Sequence, residues 1–265
     1  MSEHLQIQIA DGIARLTFNR PEVRNAISPQ MLDGMLDFLL RAEGDPTIRC
    51  IVMAGAGENF MAGGDIKNFA QYATQSPAER RLTFESRVAK GGQIFAVLQR
   101  IPQPVIASVH GAAAGAGLGF AIAADIVVAA RSATFLLAHV NIGASPDAAT
   151  SWHLPRAVGV KRAMAMALLA EPMDAPTALE QGLVTHVVDD AELAERTSRI
   201  AKRLAAGPAV ALTQAKSLIR QSLGNTLGEQ LLAEARSMGI SASTEDFIEG
   251  PRAFLEKRKP AFRGC

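Results

Sequence analysis

The sequence predicts an α/β fold followed by a helical C-terminal region, and three observations predict it. Short apolar strands alternate with amphipathic helices up to about residue 160, two glycine-rich turns interrupt that alternation, and beyond residue 160 nearly every segment carries helical periodicity. The 265 residues, 48% hydrophobic and 20% charged, suffice for one large domain with a filled core. Basic and acidic residues number 27 and 26, so the net charge of +1 provides no overall field for nucleic acid or an anionic membrane. Any anionic ligand must therefore be held by local groups. The longest apolar stretch, 111–130, is interrupted by glycine and aspartate and reads as buried core, not as a membrane span.

Residues 5–10 and 12–18 alternate apolar and polar side chains about Asp11-Gly12, the chemistry of a two-stranded hairpin. Ser28 is placed to cap a helix that Pro29 begins and that runs to about Ala42, with Met31, Leu32, Met35, Leu36 and Leu39 on one face. A buried strand at 49–53, a glycine-rich loop at 55–64 and a long helix at 78–100 after Ser76-Pro77 follow. A strand at 105–109, a glycine-rich turn at 111–117, a short helix at 118–124 and a strand at 126–129 repeat the rhythm. Helices are expected at 161–170, 175–182, 191–206, 209–223, 227–238 and 244–257. Cys50 and Cys265 offer neither a disulfide framework nor metal-ligand spacing, and residues 1–10 lack the basic start and apolar core of a signal peptide. A reducing, cytoplasmic location is the expectation.

The chemistry gathers at the two turns, Phe60-Met61-Ala62-Gly63-Gly64-Asp65-Ile66-Lys67 and the run from His110 to Gly119. Each exposes backbone N–H groups that no bulky side chain covers, and the second leads into a helix whose N-terminus carries partial positive charge. Alone, either is also an ordinary tight strand-to-helix turn. Together they can point two donors at one oxygen. Neither has the glycine-lysine-serine/threonine ending of a phosphate loop.

Four ordered blocks then add a resemblance: Asn19 to Ala26, Phe60 to Lys67, Pro104 to Asp125, and Gly182-Leu183-Val184 with the tail Phe254 to Arg258. Across almost the whole chain they resemble the crotonase (enoyl-CoA hydratase/isomerase) superfamily. The resemblance implies a crotonase-like spiral of ββα units over residues 1–200 and a C-terminal helical region, 201–265, that builds a homotrimer or a dimer of trimers. It implies an acyl-CoA thioester as substrate, with coenzyme A as part of that substrate and no metal or redox cofactor. Gly64 and Ala116 match the residues whose N–H groups bind the thioester oxygen, although Ala116 stands where the family has glycine. Arg24, Ala62, Asp65, Ile66 and Lys67 fall where the family contacts coenzyme A, and Lys259 lies in a basic tail that meets its 3′-phosphate.

Fixed donors at an enolate oxygen lower the barrier to removing a thioester α-proton, after which one base suffices. The glutamate pair of the family's hydratases is missing: Gly119 and His139 hold the matching positions. The loop from Asn141 to Trp152 contains Pro146-Asp147, which resembles the isomerase branch, including the epoxide isomerase of phenylacetate breakdown, where a single aspartate moves a proton. Asp147 is thus the candidate base, with Ile142, Ala148, Ala149 and Trp152 as its expected apolar surroundings. Ser145-Pro146-Asp147 fits the start of a helix equally well, with Ser145 as cap. His139 is a candidate assistant in proton transfer, while His110 and His153 read as structural. The expected reaction is an enoyl-CoA isomerisation. A hydratase, a thioester hydrolase and a catalytically silent acyl-CoA-binding protein are the alternatives. The family's dehalogenase branch, which by the resemblance needs a helper histidine on the long helix and an aromatic-lined pocket, is disfavoured because that helix reads Gly91-Gly92-Gln93 there and aromatics make up only 5% of the chain.

Overall fold

The computed structural model describes residues 3–264, so Cys265 lies outside the described residues. Strand β1 (Leu5–Ala10) pairs antiparallel with β2 (Ile13–Phe18), Ala10 opposite Ile13, which leaves Asp11 and Gly12 as a two-residue turn. Both have positive φ, 52° and 74°, the turn that the Asp-Gly pair favours. Helix α1 (Pro29–Glu43) starts where the Met31 N–H donates to Ser28 Oγ, and it buries Met31, Met35, Phe38, Leu39 and Ala42. Strand β3 (Cys50–Gly55) lies parallel to β2, followed by the one-turn helix α2 (Ile66–Phe69) and the long α3 (Pro77–Arg100). A reciprocal Ser76–Glu79 capping box opens α3.

Then come β4 (Val105–Val109), β5 (Ala112–Ala114), α4 (Ala116–Ala123), β6 (Ile126–Ala130) and β7 (Thr134–Leu136). Helices α5 (Thr150–Val158) and α6 (Val160–Leu169), strand β8 (Met173–Asp174), α7 (Ala175–Glu180) and β9 (His186–Val188) lead to α8 (Leu193–Ala205). The chain closes with α9 (Ala209–Ser222), α10 (Leu227–Ala242) and α11 (Glu245–Leu255). The main sheet runs β1-β2-β3-β4-β6-β9, parallel beyond the first hairpin, and β5-β7-β8 form a small second sheet. Strands β5, β7, β8 and β9 have only two or three residues each, too few to show alternation in the sequence. This is the spiral α/β architecture expected of the crotonase fold.

Two packing features place the site. Phe18 meets Phe60 edge-on at 5.5 Å and Phe120 at 5.6 Å, and Phe120 meets Phe95 at 4.8 Å, so one aromatic cluster ties β2, the loop after β3, α4 and α3 together. All eight residues of α4 are buried, which fixes that helix as a rigid post. The expected boundary at residue 200 falls inside α8, whose Leu193, Thr197 and Ala201 are buried and whose Thr197 hydroxyl bonds Ser108 of β4 at 3.0 Å. Helix α8 therefore belongs to the sheet layer, and the outer helices begin with α9. Asp125 anchors α9: it accepts from the Val105 N–H (2.7 Å) and pairs with Arg220 (2.6 Å) and Lys216 (2.8 Å). Burial holds the Lys216 ammonium below the usual lysine range against the pull of Asp125. Burial likewise pushes the Cys50 thiol up to about 12, which removes it as a nucleophile. Among the described residues no helix is long and apolar enough to cross a membrane.

Candidate active site

The two glycine-rich turns follow the C-terminal ends of β3 and β4, and backbone hydrogen bonds zip them together. Met61 N–H donates to Ala112 O at 3.0 Å and Ala114 N–H to Met61 O at 2.9 Å. Gly63 has φ 90°, and a Cβ on it would lie 2.7 Å from Ala114 O and 3.0 Å from Ala116 N. Only glycine permits that approach, and it brings the neighbouring Gly64 to Ala116. Helix α4 begins at Ala116, so the Ala116 N–H is one of the helix's unsatisfied first donors. Among the described residues neither the Gly64 nor the Ala116 N–H has a hydrogen-bond acceptor in the protein. A methyl side chain at Ala116 leaves that donor in place.

Beneath the first turn lies a residue to which sequence reading gave no role. Asn25 is fully buried, accepts from the Arg20 N–H at 2.9 Å and donates from Nδ2 to Ala56 O (2.9 Å) and Asn59 O (2.7 Å). Its φ of 57° is one that asparagine tolerates better than most residues, and this was the signal available. Asn59 Oδ1 in turn accepts from the Ala112 N–H at 3.1 Å, so polar side chains hold both turns in register.

The third component is the segment after β7. His139 sits in a 3₁₀ turn over Ala138–Ile142, is 8% exposed, and places Nε2 2.9 Å from Asp147 Oδ1. Its Cε1 lies 3.9 Å from where a Cβ on Gly115 would be, so the ring spans the gap between the second turn and Asp147. Asp147 does not open a helix. Ala148 and Ala149 both adopt the left-handed conformation, φ 51° and 55°, and α5 starts only at Thr150, whose N–H and hydroxyl donate to Asp147 O at 3.0 and 2.7 Å. The helix-start reading of Ser145-Pro146-Asp147 is therefore overturned. Two successive alanines at positive φ cost roughly 1 kcal/mol or more each, strain that this loop carries while holding the carboxylate on His139.

Gly119 explains how the loop fits. A Cβ there would lie 2.3 Å from Ala148 O and 2.7 Å from Ala148 Cβ, so the backbone beside Asp147 occupies the space that a side chain at 119 would need. Of the expected apolar neighbours, Ala148 and Ala149 are half-buried beside the base, whereas Ile142 and Trp152 are 47% and 51% exposed. Trp152 is stacked instead under the Arg156 guanidinium at 3.4 Å.

Arg24, Ala62, Asp65, Ile66 and Lys67 line one edge of the first turn. Arg24 is exposed and its carbonyl accepts from the Ala62 N–H at 2.9 Å, while Ile66 and Lys67 are exposed on α2. The Asp65 carboxylate is taken up by Arg20 at 3.1 Å and is not free for a ligand. Lys259 follows α11 on a tail fastened by Asp246 to the Arg263 and Gly264 N–H groups and by Arg49, next to the N-terminal end of β3, to Arg263 O. His110 bonds Gly57 O at 2.9 Å, and burial with the nearby Arg220 and Arg156 lowers His153 to about 4, so both serve structure. Among the described residues no three His, Cys, Asp or Glu side chains form a metal site.

Composition misled on one point. Phe69, Tyr72 and Phe84 pack on one another, and Phe69 Cζ lies 3.1 Å from where a Gly64 Cβ would stand, so an aromatic wall reaches the first turn that a 5% aromatic content did not announce.

Comparison with known proteins gives a consistent set. A family model described as enoyl-CoA hydratase/isomerase matches residues 8–265. A Rhodobacter capsulatus protein named as a probable enoyl-CoA hydratase is 40% identical over 265 residues, 100% of both chains. The 1,2-epoxyphenylacetyl-CoA isomerase of Escherichia coli is 37% identical, again over 100% of both. Among solved structures, an enoyl-CoA hydratase from Polaromonas superposes with a TM-score of 0.89 at 32% identity, covering 98% of this chain and 99% of that one.

Proposed function

The chain belongs to the enoyl-CoA hydratase/isomerase (crotonase) family and is an acyl-CoA-processing enzyme, and from that premise we propose that it is an enoyl-CoA isomerase with Asp147 as its single base. The observation that carries this reading is the pairing of Asp147 with His139 on a loop whose Ala148 fills the space over Gly119. The site then holds one carboxylate and has no room for a second on α4. Addition of water by a pair of carboxylates is disfavoured, and a proton shuttle between two carbons is what one carboxylate can perform.

In the proposed cycle the thioester oxygen rests on the Gly64 and Ala116 N–H groups. Asp147 removes a proton from C2, the negative charge moves to the oxygen, and the resulting dienolate is reprotonated at C4 by the same carboxyl group. Each backbone donor aimed at that oxygen is worth about 10²–10³ in rate in comparable sites. His139, with its proton on Nε2, donates to Oδ1 and positions the carboxylate. Arg24 and Lys67 supply positive charge for coenzyme A phosphates, and Ala62 and Ile66 offer apolar contact. The relative named as a hydratase keeps hydration as the second reading. Incubation with a 3-enoyl-CoA and with the matching 2-enoyl-CoA in D₂O separates the two. The expected result is conjugated thioester formed from the 3-enoyl substrate, deuterium at C2 or C4 and no mass of water gained. Water added to the 2-enoyl substrate would refute the isomerase reading.

A homo-oligomer completes the proposal. Helices α9–α11 bury almost nothing of their own, yet Ile219, Leu223, Leu227, Leu232, Phe254 and Leu255 are between 61% and 82% exposed. So many large apolar side chains left exposed on three successive helices favour an interface between copies of the chain. Light scattering in solution is expected to return three or six times the monomer mass, and a monodisperse monomer would exclude it.

A further inference from the structure

The two backbone donors of the site are held by different means. Gly115 O accepts from the Leu118 and Gly119 N–H groups at 3.1 and 3.4 Å, so α4 itself sets the peptide unit that carries the Ala116 N–H. The Gly64 N–H has no such helix behind it. Its peptide unit is trans, so the N–H and the Gly63 carbonyl point in opposite directions, and Gly63 O accepts from the Ile27 N–H at 2.8 Å. Ile27 thereby turns the Gly64 N–H away from itself and toward the second turn, and a bond accepted at the carbonyl also polarises the unit and strengthens its N–H as a donor. The same relation holds one step further back. Ala26 O and the Ile27 N–H belong to one peptide unit, and Ala26 O accepts from Arg20 Nη1 at 2.7 Å. The largely buried Arg20 guanidinium reaches the other side of Gly64 as well, through Nη2 to Asp65 Oδ2 at 3.1 Å. Asp65 stands at the N-cap position of α2, yet its side chain makes no capping bond and is given over to Arg20. An unbroken line of hydrogen bonds therefore runs from a buried positive charge through two peptide units to the Gly64 N–H.

We propose that Arg20 is a positioning residue of the thioester site: it orients and polarises the 26–27 peptide unit, which does the same for the 63–64 unit, whose N–H meets the thioester oxygen. The inference rests on the reading of Gly64 and Ala116 as donors to that oxygen but not on the double-bond shift. Its test uses butanoyl-CoA, a saturated thioester that cannot be isomerised, labelled with ¹³C at the carbonyl and followed by difference infrared spectroscopy on the saturated protein. In wild type the carbonyl band is expected below its position in solution, because both donors draw charge onto the oxygen. Arg20→Lys replaces the two-pronged guanidinium by a single ammonium, and about half of that shift is expected to be lost. Asp65→Asn, which matches aspartate in size but cannot hold the guanidinium by charge, is expected to move the band in the same direction and carries the test if Arg20→Lys does not fold. A residue that only stabilises the fold would lower the urea midpoint and leave the band of the bound thioester in place. A wild-type shift retained in full by the folded variants would therefore overturn the relay alone. A wild-type band at its solution position would overturn the two-donor site and the relay with it.

Discussion

Replacement of Asp147 by asparagine is expected to lower the kcat for double-bond migration by about a thousandfold, within the range assigned to a positioned acid or base. Asparagine has the size of aspartate and retains an oxygen that can accept from His139 Nε2, so the contact now at 2.9 Å survives. The substitution therefore removes the proton acceptor and little else. Stability should stay within about 1 kcal/mol of wild type in urea denaturation, because the carboxylate is about a third exposed and the loop is held by Thr150 on the Asp147 carbonyl. Exchange of the C2 proton with D₂O should fall in parallel with turnover, since the same group opens both. Asp147→Asn enzyme that keeps turnover within tenfold of wild type would mean that the base lies elsewhere. His139→Gln is the companion variant: a positioning role predicts a smaller loss of kcat with KM little changed, and an equal loss would make His139 the proton carrier.

The legible parts of this site are those written in backbone requirements. Gly63 must be glycine because its Cβ would strike Ala114 O, and Ser28, Ser76 and Thr226 stand where helix caps must stand. Such constraints act over a few residues and leave a mark on the sequence. Asp147 shows the opposite case. Ser145-Pro146 is a helix-start pattern, yet Ala148 and Ala149 at positive φ postpone α5 to Thr150, and alanine gives no sign of a left-handed turn. Contacts between the loop and Gly119 impose that conformation, and such contacts are not local in sequence. The aromatic wall was hidden for a related reason. Phe69, Tyr72 and Phe84 come from α2, the turn after it and α3, so a percentage counts the rings without saying that three of them pack together and that one, Phe69, lies against Gly64.

Gly119→Glu tests the loop arrangement directly, because it restores the residue type whose absence argued against hydration. The side chain cannot be accommodated as the protein stands: its Cβ would lie 2.3 Å from Ala148 O, a backbone atom, and 2.7 Å from Ala148 Cβ. Helix α4 is buried along its whole length and cannot yield, so residues 147–149 must move, and with them Asp147 leaves His139. A carboxylate introduced into that helix is also stranded among apolar side chains, with a cost of about 3 kcal/mol. The expected outcome is loss of isomerisation by at least about a hundredfold, a lowered midpoint in urea and no gain of hydratase activity. Gly119→Ala separates the two causes. It adds the clash without the charge, so activity should still fall steeply while stability drops less than in Gly119→Glu. Water addition by Gly119→Glu enzyme, or wild-type isomerisation in Gly119→Ala, would show that the Asp147 loop moves freely over α4, and the single-carboxylate reading would lose the observation on which it stands.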